Sequence, residues 1–265
     1  MSYDRVLLDL DGTVYLGHGA VPGAAEAIAE LRTAGVRLAF VTNDPVSARV
    51  DYVERLGGIG IAVGADELVT CAWATAQLVA EERPGARVLA LGSQAWLDEH
   101  RLAGAELVDD YRAAQVLSLG GDWTFGYREL EASIRAVLGG AAFYGSNRDA
   151  TFPNVDGPSP GAGALLAAVE YATGVRARCA GKPEIGMFHE AERLLGAGRY
   201  LMVGDRLDAD VAGAHAAGMD AALVLTGSST ADQAGAWEGP APVAVLDSIA
   251  DLPAFALGAP TCSGT

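Results

Sequence analysis

The stretch Val6-Leu7-Leu8-Asp9-Leu10-Asp11-Gly12-Thr13 decides how this 265-residue chain is read. A short apolar run ends in two aspartates two residues apart, then a glycine and a threonine, which is how a parallel sheet delivers charged groups to its carboxyl edge. In extended backbone, side chains at i and i+2 point to the same side, so the carboxylates of Asp9 and Asp11 can share one site. Two like charges that close repel, and a metal ion, cations or protonation of one member must offset the repulsion. A solvated Asp-x-Asp-Gly turn would look the same, since Asp and Gly are favoured turn formers. The decision rests on the residues downstream.

Working outward, Pro22-Gly23 opens an alanine-rich amphipathic helix to about residue 34, with Gly35 as its stop. A strand over residues 36–41 ends in Thr42-Asn43-Asp44-Pro45, and Pro45 starts a helix to about residue 56. Alternating strands and helices imply parallel pairing and right-handed crossovers. Thr42 and Asn43 therefore fall at a strand end, where a hydroxyl, an amide and backbone N–H groups suit either an anion or a helix cap. Residues 66–82 are expected as one helix. Beyond them strands are expected at 87–91, 115–119 and 142–144, with helices at 95–102, 127–138 and 162–172. Gly161-Ala162-Gly163-Ala164-Leu165-Leu166 begins like a dinucleotide fingerprint but places Leu at the third glycine, so it is read as a tight turn into a helix.

Gly181-Lys182-Pro183-Glu184 opens a helix through residue 195, and a strand over residues 199–203 runs into a second acidic turn, Gly204-Asp205-Arg206-Leu207-Asp208-Ala209-Asp210. Residues 221–225 close the series of strands. Residues 228–239 read as a surface loop, and 248–252 as a last helix stopped by Pro253 before a loose tail. The expected organisation is a core of residues 1–84 and 178–265 with a small α/β domain, residues 85–177, inserted into it.

Composition narrows the function. With 51% hydrophobic and 20% charged residues the chain has the makeup of a soluble globular protein, and no apolar run is long enough to span a bilayer. Charged residues at Asp4 and Arg5 leave no room for a signal-peptide core, so a cytoplasmic enzyme is expected. Eighteen basic against 34 acidic residues give a net charge of −16, which argues against nucleic acid or an anionic membrane as partner. Cys71, Cys179 and Cys262 are widely spaced and form no Cys-x-x-Cys, which fits a reducing compartment without zinc or a disulfide framework. Cys262, fourth from the end, lacks the aliphatic neighbours of a prenylation signal. His18, His100, His189 and His215 show no metal-ligand spacing, and no Gly-x-Ser-x-Gly is present. Lys182 is the only lysine among 18 basic residues. A composition so biased to arginine keeps a lysine where a compact ammonium on a flexible stem is needed.

Carboxylates, a hydroxyl, backbone donors and one ammonium are what a magnesium-dependent site for a phosphate monoester requires. Asp9-x-Asp11-Gly-Thr, Thr42-Asn43, Gly-Lys182-Pro and Gly-Asp205-x-x-x-x-Asp210 resemble the four ordered motifs of the haloacid dehalogenase (HAD) superfamily. The insertion between the second and third motifs resembles that of its NagD-like, nitrophenylphosphatase and phosphoglycolate phosphatase branch. Val14-Tyr15-Leu16-Gly17, Gly121 to Tyr127, Asn147-Arg148-Asp149 and Pro160 to Gly163 extend the likeness.

The resemblance implies a Rossmann-like parallel-sheet core with an inserted α/β cap that closes over the site and supplies leaving-group specificity. It implies Asp9 as nucleophile and Asp11 as general acid and base. Phosphate would be held by Leu10, Asp11, Thr42, Asn43 and Lys182. Mg²⁺ would be bound by the Asp9 carboxylate, the Asp11 carbonyl and Asp205, with Asp210 orienting the ion's waters or Lys182. Asn147, Arg148 and Asp149 are candidates for substrate contacts, alongside a structural role at the cap interface. Asp44, where the branch often has a second Asn, and Ala209, in place of a common Thr, depart from the pattern without touching catalytic positions.

The expected function is hydrolysis of a small phosphorylated metabolite, a sugar or polyol phosphate or similar, through an aspartyl-phosphate. Caps of this type often mediate dimers, so a homodimer is among the expectations. A phosphotransferase or mutase would use the same intermediate but resembles relatives whose cap precedes the second motif. A non-catalytic phosphate-binding protein would have lost Asp9, Asp11, Lys182 or Asp205, and all four are present.

Overall fold

The computed structural model describes residues 2–152, 154 and 156–258; Pro153, Cys262 and the tail from residue 259 lie outside the described residues. The chain divides into two compact units, Met1–Thr42 with Arg49–Val69 and Phe188–Thr265, and Asn43–Ala48 with Thr70–Met187. Both are built on parallel sheets, in the α/β, Rossmann-like architecture expected.

The first unit carries a six-stranded sheet in the order Ala244–Leu246, Asp220–Val224, Tyr200–Gly204, Arg5–Asp9, Arg37–Thr42, Leu68–Thr70. The pairings from the first of these strands through to Arg37–Thr42 are parallel. Val6, Leu7 and Leu8 are fully buried, as expected of a central strand covered on both faces, where apolar residues run continuously instead of alternating. Helix Ala24–Thr33 turns Ala24, Ala27, Ile28 and Leu31 inward, the i, i+3, i+4, i+7 stripe of a helix lying on a core. Gly35, at φ +83°, ends it in a left-handed conformation that costs glycine little.

The second unit has a five-stranded parallel sheet in the order Arg178–Cys179, Ala142–Gly145, Val116–Leu119, Arg87–Leu91, Glu106–Leu107. Leu89, Leu117, Leu119, Phe143, Leu166 and Val169 form much of its core. A polar cluster is buried with them. His100 Nδ1 lies 2.9 Å from the Trp96 carbonyl, which can only accept, so Nδ1 carries the proton. Nε2 then accepts from the Ser118 hydroxyl at 2.8 Å. Burial pushes the His100 pKa from 6.5 down to about 4, which keeps the ring neutral.

Several expected elements are corrected. Residues 66–82 are not one helix: a 3₁₀ turn Ala65–Glu67 leads into strand Leu68–Thr70, and the helix is Cys71–Glu82. Leu-Val-Thr favours an extended backbone, and the Thr70 hydroxyl accepts from the Trp73 N–H to cap the helix that follows. The helix expected from Pro45 begins only at Arg49, and that expected from Gly181 begins at Gly186. Pro253 does not stop the last helix but sits in the first turn of Leu252–Ala256, where its missing N–H is not needed. A short helix Ala231–Gly235 interrupts the expected loop, and strand Ala244–Leu246 was not foreseen. The expected inserted domain, 85–177, falls inside the second unit, which also takes in residues 43–48, the helix Cys71–Glu82 and the Gly181-Lys182 turn.

Candidate active site

In the first unit, strand Arg5–Asp9 lies between Tyr200–Gly204 and Arg37–Thr42, with Leu8 opposite Val203 and Asp9 opposite Val41. This register brings the carboxyl ends of adjacent strands level. Asp9 and Asp205 therefore emerge at one edge, and the π-type turn Leu207–Val211 brings Asp210 back to them. All three are buried, and one carboxylate oxygen from each lies within 4.8 Å of the others. Around them the backbone is tied tightly. Asp210 Oδ2 accepts from the Arg206 N–H at 3.0 Å. Asp205 Oδ2 accepts from the Ser228 N–H at 2.5 Å, and the Thr226 hydroxyl donates to the Gly12 carbonyl at 2.6 Å. Gly12 has φ +86°, and a Cβ there would stand 2.6 Å from Asp205 Oδ2. Any larger residue would be strained and would collide with the cluster.

The Asp11 carboxylate is not one of these three; its residue is exposed. Its Oδ2 accepts from the Tyr15 hydroxyl at 3.1 Å. Tyr15 is buried, with the Arg55 guanidinium 3.8 Å from its ring centroid. Burial first, and the Asp11 charge second, push the Tyr15 phenol far up, so it stays a donor at any working pH. Thr13 donates to Asp9 Oδ2 over 3.5 Å. Thr42 is buried at the end of its strand, and Leu10 beneath the turn. In the sequence Tyr15 stands out only as part of the Val14-Tyr15-Leu16-Gly17 stretch. Its place four residues after Asp11, across a tight turn, was the available sign of contact.

In the second unit the Asn43 side chain grips Lys182 by its backbone. Oδ1 accepts from the Lys182 N–H at 2.8 Å, and Nδ2 donates to the Lys182 carbonyl at 2.9 Å. Nδ2 also donates to Asp149 Oδ2 at 2.9 Å. Asn147 Nδ2 donates to the Asn43 carbonyl at 2.6 Å, and the Asp149 N–H donates to Asn147 Oδ1 at 2.9 Å. Arg148 instead pairs with Glu170 at 3.0 Å and donates to the Ala177 carbonyl at 2.6 Å. Asn43, Asn147, Asp149 and Lys182 thus come together, and Arg148 is drawn into the packing of its own unit.

An all-oxygen set of three buried carboxylates fits a hard divalent cation such as Mg²⁺. Such an ion also removes the repulsion that three clustered like charges carry.

Two family models match the chain, haloacid dehalogenase-like hydrolase over residues 6–106 and HAD-hydrolase-like over residues 179–252. The D-glycerol 3-phosphate phosphatase of Mycobacterium tuberculosis is 36% identical over 234 residues; the match covers 87% of this chain and 65% of that protein's length. The acid sugar phosphatase of Staphylococcus saprophyticus is 35% identical over 234 residues, with 88% and 90% covered. A crystal structure of the M. tuberculosis glycerol phosphate phosphatase in complex with magnesium superimposes with a TM-score of 0.89 at 34% identity, covering 95% of this chain and 76% of that one. The chain belongs to the haloacid dehalogenase-like hydrolases. Within them it falls in the NagD-like phosphatase branch, as a phosphoric monoester hydrolase.

Proposed function

We propose that the chain is a Mg²⁺-dependent phosphatase that hydrolyses a small phosphomonoester through an aspartyl-phosphate on Asp9. The observation that carries this reading is the convergence of buried Asp9, Asp205 and Asp210 at one sheet edge, with Asp11 in the same turn as Asp9. Asp9, Asp205 and Asp210 are the carboxylates that would hold the cation or its waters, with the Asp11 carbonyl as a further ligand. When bound, Mg²⁺ supplies charge neutralisation to the carboxylates and to the phosphoryl oxygens.

An Asp9 carboxylate oxygen attacks phosphorus; the new O–P bond forms as the bond to the leaving oxygen breaks. Asp11 hands its proton to that oxygen, and the alcohol departs. Water then attacks phosphorus, Asp11 takes the water's proton, and the Asp9–phosphorus bond breaks to give inorganic phosphate. Asp11 ends as it began, protonated, so it serves as acid in one half and base in the other, roles worth on the order of 10²–10⁴ in rate. Its Tyr15 hydrogen bond keeps its carboxylate in one orientation through both halves. Leu10 and Asp11 backbone N–H groups, the Thr42 hydroxyl and the Asn43 backbone N–H would hold the phosphoryl oxygens, and the Lys182 ammonium would offset their charge.

The relatives' names direct the substrate search to sugar phosphates and glycerol phosphate. The test is phosphate release from such a panel, with Mg²⁺ and with a chelator, for wild type and Asp9→Asn. Metal-dependent release that falls at least about 10³-fold in the variant supports covalent catalysis by Asp9. Release that survives Asp9→Asn, or that ignores the chelator, overturns it.

A further inference from the structure

The Asn43 amide is completely engaged. Lys182 N–H can only donate, so Oδ1 must face it, and this fixes which way the amide is turned. Both Nδ2 hydrogens are then spent, one on the Lys182 carbonyl and one on Asp149. The side chain has no donor left for a phosphoryl oxygen. Asn147 closes a ring behind it, binding the Asn43 carbonyl through Nδ2 and the Asp149 N–H through Oδ1. The Cys71 thiol also donates to the Asn43 carbonyl, at 2.9 Å. Gly181 lets the strands of this ring meet: a Cβ there would stand 2.6 Å from the Ser146 carbonyl and 2.7 Å from Asn147 Cβ.

We propose that Asn43 is a positioning residue, a two-bond clamp on the Lys182 peptide, and that Asn147 and Asp149 hold this clamp instead of reading the substrate. A lysine ammonium rides on a flexible four-carbon stem. Clamping its peptide on both sides removes the backbone share of that freedom, so the charge arrives where the transferring group needs it. The proposal rests on the phosphatase reading for its kinetic consequence, but the clamp itself can be seen without turnover.

Lys182 is the chain's only lysine, so enzyme made with ε-¹³C lysine gives a single side-chain methylene resonance that reports on this one residue. The experiment records that resonance and steady-state kinetics for wild type, Asn43→Ala and Asn147→Ser on the same phosphomonoester panel. Asn43→Ala should shift or broaden the resonance and lower kcat by about 10–100-fold, with KM changed less than about threefold and the rank order of substrates kept. Asn147→Ser, which removes the side-chain bonds to the Asn43 carbonyl and the Asp149 N–H, should do the same to a smaller degree, and it carries the test if Asn43→Ala does not fold. A reordered substrate preference would overturn the proposal by making these residues specificity contacts. An unchanged lysine resonance would overturn it as well. If wild type releases no phosphate from any ester, the phosphatase reading fails, and the lysine resonance still decides the clamp.

Discussion

The six-stranded sheet of the first unit and the five-stranded sheet of the second are both parallel and both bury polar groups, yet the groups are arranged in opposite ways. At the edge of the first, Asp9, Asp205 and Asp210 bring three carboxylates within 4.8 Å. Inside the second, His100 meets Ser118 and the Trp96 carbonyl with one donor for each acceptor. A closed donor–acceptor set asks nothing of a ligand and contributes to stability. A set of like charges gains most from a cation, and its worth lies in what that cation can do. The same contrast separates residues whose loss should stop turnover from residues whose loss should only loosen the fold.

The largest effect is expected on the charged side. Asp205→Asn keeps the shape and an acceptor for the Ser228 N–H but removes one charge from the cluster. We expect metal affinity and turnover to fall by about 100-fold or more, with the circular-dichroism spectrum unchanged. Mg²⁺ should raise the thermal midpoint of wild type, because it binds only the folded chain, and should not raise that of the variant. An equal rise in both would place the cation elsewhere.

His100 should behave in the opposite manner. Its pKa is about 4 in the folded protein against an ordinary 6.5. Between those values the unfolded chain takes up a proton that the folded one refuses, so stability falls as pH drops through this window and is constant above it with respect to this group. At about 1.4 kcal/mol per pH unit, the loss is on the order of 3 kcal/mol. Urea unfolding at pH 7 and pH 4.5 measures it, and His100→Gln should be less stable at pH 7 but flatter with pH. If His100→Gln changed kcat more than about twofold in folded enzyme, the assignment of this cluster to structure alone would be wrong.

Tyr15→Phe tests an intermediate case, a buried donor serving the carboxylate proposed as general acid and base. Losing the hydrogen bond to Asp11 should lower kcat by about 3–10-fold with KM unchanged. The drop should be larger for glycerol phosphate than for nitrophenyl phosphate, since a good leaving group needs less help from a proton. Equal drops for both esters would show that Tyr15 does not act through the acid step.

Much of the charged edge was legible because its residues are local: Asp9-x-Asp11-Gly12 and Gly204-Asp205 each follow an apolar run directly, so strand and turn are written together. What escaped was set by partners distant in sequence. The Asn43 clamp on Lys182 spans 139 positions, and no local pattern encodes it. Leu68-Val69-Thr70 was read as helix because three residues between Asp66-Glu67 and an alanine-rich segment carry too little periodicity, and only pairing in the sheet makes them a strand. Pro253 was read as a stop because the sequence alone does not say whether a proline ends one turn or begins the next.

The smallest effect is expected at Asp44, where a carboxylate stands next to the proposed phosphate-binding residues and, from sequence alone, should oppose an anionic substrate. Its Oδ1 accepts from the Val46 N–H at 2.8 Å, across Pro45, which is the geometry of a side chain closing its own turn. By that contact Asp44 resembles the self-satisfied cluster around His100 more than the acidic edge, although it bears a charge. Asparagine offers the same acceptor without the charge, so Asp44→Asn should keep the turn and leave KM within about twofold of wild type. If KM instead falls several-fold, and the gain shrinks as salt rises from 0.05 to about 0.5 M, the carboxylate is felt by the substrate through space, since only a partly exposed charge is screened in that range. Asp44 would then move to the charged side of the comparison, as a residue that weakens substrate binding while it shapes the turn.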